Sequence, residues 1–299
     1  MALIELQGLT KDYGNGRGVF DLNLSVEQGE TFGFIGANGA GKTTAIRLLM
    51  GFIKPDRGSA AIGGLDCWKD AAELKKRIGY IPGEIAFPDA PTGSEFLRRQ
   101  AELRGVKDMA LAEAVIRKMQ LDPTANLKRM SKGMKQKTAI AAALMADCDI
   151  LILDEPTTGL DPLMRAEFLD LLRELKSRGK TIFMSTHHME EVEQICDRAA
   201  FIREGRLVAV KSMAEFRGSG TKTYRIAFET DGDYRRFLAA GFEIVEADDG
   251  KLEATVRVRG GGINDLLRTL KTCRIRSLSE VRETFEAYVS RLMRGGDVR

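Results

Sequence analysis

The segment Gly36-Ala37-Asn38-Gly39-Ala40-Gly41-Lys42-Thr43 fills every specified position of the pattern G-x-x-x-x-G-K-[ST]. Such a segment narrows the possible folds sharply, because it works only as a turn between a strand and a helix. The flanks comply: the apolar run Thr31-Phe32-Gly33-Phe34-Ile35 enters it, and a helical pattern from Thr44 to Met50 leaves it. Glycines let successive backbone N–H groups turn inward around phosphate oxygens, and the helix N-terminus adds its partial positive charge. The reading is a nucleoside triphosphate site. Its candidate contacts are Gly36, Asn38, Gly39, Ala40, Gly41, Lys42, Thr43 and Thr44. Lys42 reaches the β- and γ-phosphates, and the Thr43 hydroxyl ligates Mg²⁺.

Bulk properties restrict what surrounds that loop. The chain has 299 residues, and single cores stop growing near about 250 residues, so two domains are expected. The 46 Lys and Arg nearly balance 43 Asp and Glu, leaving a formal charge of +3. No global basic field therefore points to nucleic acid. The cysteines Cys67, Cys148, Cys196 and Cys273 are far apart, without a C-x-x-C pair, which disfavours zinc or a disulfide framework and suits a reducing compartment. Met1-Ala2-Leu3-Ile4-Glu5 does not read as a secretory signal. The longest apolar stretches, such as Ala139 to Ala146, fall short of the ~20 residues of a spanning helix. A soluble chain is expected.

Along the chain, residues 2–9 and 19–26 read as alternating strands around the turn Tyr13 to Gly18, an antiparallel β edge ahead of the loop. Gly51 and Pro55-Asp56-Arg57-Gly58 stop the loop helix. Residues 86–146 are mostly helical by periodicity and form a helical insert. Strand, helix (Pro162 to Ser177), strand (Lys180 to Ser185), helix (Met189 to Cys196) and strand (Ala199 to Ile202) follow, the alternation of a parallel α/β sheet. Arg217-Gly218-Ser219-Gly220 reads as a junction, giving domains at 1–216 and 221–299. The second is expected to be a small α+β domain: strand (Thr221 to Glu229), helix (Tyr234 to Ala240), two strands around Asp248-Asp249-Gly250, helix (Ile263 to Thr272), strand (Arg274 to Leu278) and a last helix (Arg282 to Met293).

Well beyond the loop, Ile150-Leu151-Ile152-Leu153-Asp154-Glu155-Pro156 places four aliphatic residues before two acids. A buried parallel strand opening onto a phosphate site has this form. Asp154 is placed for Mg²⁺ through its water shell, and Glu155, just past the strand, can polarise a water against the γ-phosphate.

With these motifs in order, residues 2–215 resemble the ATP-binding subunits of ABC transporters, a P-loop NTPase core with an antiparallel β edge and a helical insert. The resemblance implies the following. Tyr13 matches the aromatic that stacks on adenine. Met130-Ser131-Lys132-Gly133-Met134 is similar to the family's signature L-S-G-G-Q; Ser131 also suits a helix N-cap, and Ser131 with Gly133 would meet the γ-phosphate held by a second subunit. Thr158-Gly159-Leu160-Asp161 resembles the loop crossing that interface, with Asp161 its contact, and Ser185-Thr186-His187 resembles the switch whose His reads the γ-phosphate. A metal held by His187 and His188 is disfavoured on the expectation that neighbouring histidines point apart. Where the family has Gln at the junction of core and insert, Tyr80-Ile81-Pro82-Gly83-Glu84 puts Gly83.

Implied in turn are ATP and Mg²⁺ as cofactors, a head-to-tail dimer with a second ATP-binding subunit, identical or related, and a separate transmembrane permease contacted near residues 80–100. No nucleic-acid partner is expected. The chain would sit in the cytoplasm, on the inner face of the membrane through the permease. The Ser131-to-Gln136 string and the stretch Ser277 to Val281 look most like bacterial exporters of drugs, antibiotics or lipids. The alternative is a soluble ATPase of the same family acting on nucleic acid or ribosomes, although those usually carry two modules or a long coiled coil.

Overall fold

The strands flanking the phosphate loop are apolar on both faces, which requires a sheet covered by helices on each side. The computed structural model describes residues 2–88, 90–214, 221–259 and 262–281, and divides into units Met1–Met213 and Ala214–Arg299. The first unit runs β1 (Ala2–Asp12), β2 (Gly18–Glu27), β3 (Thr31–Ile35), α1 (Lys42–Leu49), β4 (Arg57–Ile62), β5 (Leu65–Asp66), α2 (Ala71–Arg77) and β6 (Ile78–Ile81). It continues with α3 (Gly93–Arg104), α4 (Ala110–Lys118), α5 (Lys132–Leu144), β7 (Ile150–Asp154), α6 (Pro162–Ser177), β8 (Thr181–Thr186), α7 (Met189–Ile195), β9 (Arg198–Arg203) and β10 (Arg206–Ser212).

Two sheets result. The antiparallel strands form a four-stranded sheet in the order β2-β1-β4-β5, where Ile4, Leu6 and Leu9 of β1 are buried and Glu5 and Gln7 face outward or partly so. The central sheet has the order β10-β9-β3-β8-β7-β6, parallel except for the antiparallel β9–β10 pair. Every residue of β3, β7 and β8 is buried. Phe32 and Phe183 stack at 5.9 Å between ring centroids, and Phe34 lies 5.5 Å from Phe183, so adjacent strands share one aromatic cluster.

Register decides where chemistry can occur. Ile35 pairs with Thr186, Asp154 with Ser185 and Ile81 with Leu153. The strands being parallel, the residues that follow them all emerge at the carboxyl edge of the sheet: the phosphate loop, Gly83, Glu155 and His187.

The helical insert is seated on this sheet through α5. Its N-cap is Ser131, whose hydroxyl accepts the Met134 N–H at 3.2 Å. It approaches β6 so closely that a Cβ at Gly79 would lie 2.6 Å from the Ala143 carbonyl oxygen and 2.6 Å from Leu151 Cδ2.

The second unit comprises β11 (Thr221–Phe228), α8 (Asp231–Leu238), β12 (Glu243–Asp248), β13 (Glu253–Arg259), α9 (Ile263–Leu270) and β14 (Ile275–Val281). All pairings are antiparallel in the order β12-β13-β11-β14, a split βαββαβ of ferredoxin-like topology. Tyr224, Ile226 and Phe228 alternate into its core against Tyr234 and Phe237 of α8 and Leu266 of α9. The junction Arg217 to Gly220 and the helix expected over Arg282 to Met293 lie outside the described residues.

Gly79→Ala is expected to overpack the α5–β6 contact by about 1–3 kcal/mol and lower the melting temperature by roughly 3–10 °C. Calorimetry checks it; an unchanged melting temperature would mean α5 is not seated there.

Candidate functional site

Gly36 ends β3 where no side chain fits, since a Cβ would meet the Ile202 carbonyl oxygen at 2.6 Å and Ala40 Cβ at 2.9 Å. Gly39 and Gly41 take φ of 82° and 108°, which swing the loop around into α1. Gly41 caps that helix without any side-chain hydrogen bond, so the first N–H groups of α1 have no side-chain acceptor. A cavity of about 500 Å³ opens there, lined by Tyr13, Arg17, Gly18, Asn38, Gly39, Gly41, Lys42, Thr43, Thr44 and Glu155. Gly36 and Ala40 do not line it; they pack the loop from behind. Lys42 is 5% exposed, and its ammonium donates to the carbonyl oxygens of Gly36 at 2.6 Å and Ala37 at 3.2 Å. Tyr13 leaves half its surface open at the cavity rim, with Lys11 Nζ 6.0 Å over its ring.

Asp154 and Glu155 are adjacent yet differently placed. Asp154 is fully buried; its Oδ1 accepts the Ser185 hydroxyl at 2.6 Å, while Oδ2 has no hydrogen-bond partner. Burial pushes its carboxyl above the usual carboxylate range, opposed by the Ser185 and Thr43 hydroxyls and assisted by the Glu155 charge. An orphaned, buried carboxylate oxygen beside a hydroxyl is a set of hard oxygen donors that suits Mg²⁺. Gly83 faces the same oxygen: a Cβ there would lie 2.8 Å from Asp154 Oδ2. A side chain at position 83 would require the end of the Asp154 carboxylate to shift, so the glycine leaves room for that oxygen where the family resemblance leads one to expect Gln.

Glu155 turns out of the strand with φ of 49°, a left-handed conformation costing a non-glycine residue on the order of 1–3 kcal/mol. Its N–H is held by the Ser185 carbonyl at 3.2 Å and hydroxyl at 3.0 Å. The turn aims the side chain at the cavity, where Oε1 lies 3.0 Å from Lys42 Nζ as an ion pair without hydrogen-bond alignment. Oε2 meets His187 Nδ1 at 2.6 Å. A carboxylate can only accept, so Nδ1 carries the proton and Nε2 is left as the ring's other nitrogen. The two histidines do not point apart: their ring centroids are 4.0 Å from each other at 38°. Local backbone geometry after β8 overrides strand alternation here. Among the described residues no group of three or more His, Cys, Asp or Glu side chains could hold a metal ion.

Ser131, Gly133 and Asp161 do not line the cavity. Asp161 caps α6 by accepting the Met164 N–H at 2.9 Å, ahead of Pro162 at the first turn. At Gly133 a Cβ would lie 2.8 Å from the Gly159 carbonyl oxygen, so this glycine allows α5 to touch the loop before Asp161. The buried Gln136 amide donates to the Pro156 carbonyl at 2.7 Å, a second tie between α5 and the segment after Glu155.

Arg17 at the cavity and Thr157 and Glu191 behind it have no assigned role in the sequence reading. Ser185 and Gln136 lie within stretches that the family resemblance covers, yet their contacts with Asp154 and Pro156 appear only in the structure.

The family described as ABC transporter matches residues 19–158. A bacitracin transport ATP-binding protein of Bacillus licheniformis is 42% identical over 209 residues, 69% of this chain and 68% of that protein. A Nod factor export ATP-binding protein I of Burkholderia orbicola is 38% identical over 214 residues, covering 70% of each. A solved structure of an ATP-binding subunit of an ABC transporter superposes with a TM-score of 0.66 at 31% identity, covering 72% of this chain and 92% of that one.

Lys42→Ala removes the ammonium closest to the cavity floor. ATP affinity, read by titration of a fluorescent analogue, should fall at least roughly 10–100-fold; unchanged affinity would refute the site.

Proposed function

This chain belongs to the ABC transporter family as one of its ATP-binding ATPases, and from that premise we propose that it powers export of an antibiotic-like or lipid-like compound through a separate membrane-spanning subunit. Among the described residues no helix is long and apolar enough to cross a membrane. The observation that carries the catalytic reading is the Glu155 carboxylate held between Lys42 and His187 at the cavity wall.

In this reading ATP lies with its base against Tyr13 and its phosphates along Asn38 to Thr44. Lys42 exchanges the Gly36 and Ala37 carbonyls for phosphate oxygens. Glu155 takes a proton from a water whose oxygen attacks the γ-phosphorus; the bond to the bridging oxygen breaks, leaving ADP and phosphate. His187 holds the base in place by donating its Nδ1 proton to the Glu155 carboxylate. Thr43 and Asp154 would hold Mg²⁺, which when bound offsets phosphate charge.

The dimer is part of the same proposal. Ser131 and Lys132 are exposed at the start of α5, whose first turn carries no acid, so an anion from outside the chain is favoured there. A second copy or a relative would bring its γ-phosphate to Ser131 and Gly133, with Asp161 alongside. Residues 1–216 would act as the motor and 221–299 as an accessory domain, since every site residue precedes 216. The membrane subunit would dock in the cleft of about 320 Å³ between core and insert, lined by Phe52, Tyr80, Ile85, Phe87, Phe96 and Arg104 among others. There Phe52 is 45% exposed, edge-on to Tyr80 at 5.5 Å, with Lys75 Nζ 4.8 Å over its ring. The chain would then lie on the cytoplasmic face of the membrane.

Glu155→Gln should keep ATP binding, reduce turnover at least about 100-fold, and accumulate an ATP-dependent dimer by light scattering; a purely monomeric variant in ATP would count against the paired site. Phe52→Glu should release the chain from purified membranes while leaving soluble ATPase activity within about twofold, as for other exposed substitutions. Retention on membranes would place the docking surface elsewhere.

A further inference from the structure

Behind the site lies a buried carboxylate with no part in the chemistry above. Glu191, in the first turn of α7, is 2% exposed. Its Oε1 accepts the hydroxyl of Thr157 at 2.7 Å, and its Oε2 accepts the hydroxyl of Thr186 at 2.8 Å. Both threonines are themselves buried, at 1% and 0% exposure. Thr157 stands two residues after Glu155, and Thr186 stands immediately before His187. One carboxylate thus joins the segment following β7 to the segment following β8. The nearest cation is Arg165 of α6, whose Nε lies 3.6 Å from Oε1 and has no hydrogen-bond partner. The loop tied down at Thr157 goes on to Gly159, which abuts Gly133, and to Asp161.

We propose that Glu191 is a positioning residue that fixes the Glu155–His187 pair by clamping Thr157 to Thr186; this rests on the roles assigned above to Glu155 and His187. The proton inventory explains why a carboxylate is required. A carboxylate can only accept, so the Thr186 hydroxyl donates its proton to Glu191 while its oxygen accepts the His188 N–H at 3.0 Å. Thr157 donates to the other oxygen. Two donors converging on one buried side chain call for two acceptors, which a carboxylate has and an amide lacks. In Glu191→Gln the amide N–H₂ could only meet the remaining lone pair of Thr186, which leaves the buried Thr186 hydroxyl proton without an acceptor. The segment bearing His187 would shift relative to that bearing Glu155, lengthening their 2.6 Å contact. ATP, held by the loop and α1, would be unaffected.

The test uses the full chain and measures ATP affinity, kcat and melting temperature together. Glu191→Gln should lower kcat about tenfold or more with nucleotide affinity changed less than about twofold. Thr186→Val, which carries no hydroxyl proton, should restore part of the lost kcat when combined with Glu191→Gln, a non-additivity that a merely structural role would not give. Thr157→Val, nearly isosteric, should lower kcat alone and serves if Glu191→Gln does not fold. The proposal is overturned by an unchanged kcat in folded Glu191→Gln or Thr157→Val, by strict additivity in the double variant, or by affinity falling in step with kcat. Glu155→Gln run in parallel separates the two levels: normal turnover there would refute the catalytic assignment itself.

Discussion

Parallel pairing of β3, β8, β7 and β6 is the constraint on which the site rests. Strands paired in one direction end together, and the register found here puts Ile35, Thr186, Asp154 and Ile81 at one edge within a residue of each other. Everything that must meet a phosphate then follows from what comes next in the chain. The loop after β3 offers N–H groups and an ammonium, the segments after β7 and β8 offer a carboxylate and an imidazole, and the segment after β6 offers a glycine. A shift of one residue between β7 and β8 would reverse which face each side chain takes, so the all-buried strands that fix the register also fix the chemistry.

Adjacent acids on a strand normally point to opposite faces, and the site uses this. Asp154 remains in the buried ladder, desolvated and tied to Ser185, while Glu155 leaves the strand through a left-handed turn and reaches the cavity. The two negative charges are thereby given different surroundings: oxygen donors and burial for one, Lys42 and His187 for the other. Ser185 serves both, donating its proton to Asp154 and accepting the Glu155 N–H. The cost of the turn is covered locally by that pair of hydrogen bonds to the Glu155 backbone.

Much of this could be read from the sequence because the residues obey steric rules. The phosphate loop needs glycine at positive φ, the strand before Asp154 needs unbroken aliphatic character, and α6 starts at Pro162, as its pattern required, with an Asp161 cap that the structure adds. Other parts left little trace. The stretch holding β4, β5, α2 and β6 was not resolved into elements, since strands of two to six residues interrupted by glycine give no usable period. β10 shows no buried–exposed alternation, being half-exposed along its length. Gly83 looked like a deficit and proved to be a close approach to Asp154, a distinction that depends on three dimensions. Glu191 in Met-Glu-Glu-Val-Glu-Gln is one acid among several on a short helix, and only packing shows which one is buried.

The partners of Lys42 bear on how the site responds to a triphosphate. Its ammonium donates to two loop carbonyls and forms an ion pair with the Glu155 carboxylate while nearly sealed from solvent. Phosphate oxygens are acceptors of the same kind but carry more charge, so binding substitutes one set of acceptors for another and requires no new burial of the cation. The same exchange would free Glu155 from its cationic neighbour as the γ-phosphate arrives, leaving the His187 contact and the backbone hydrogen bonds to hold it. Release of the base is then coupled to occupancy of the loop.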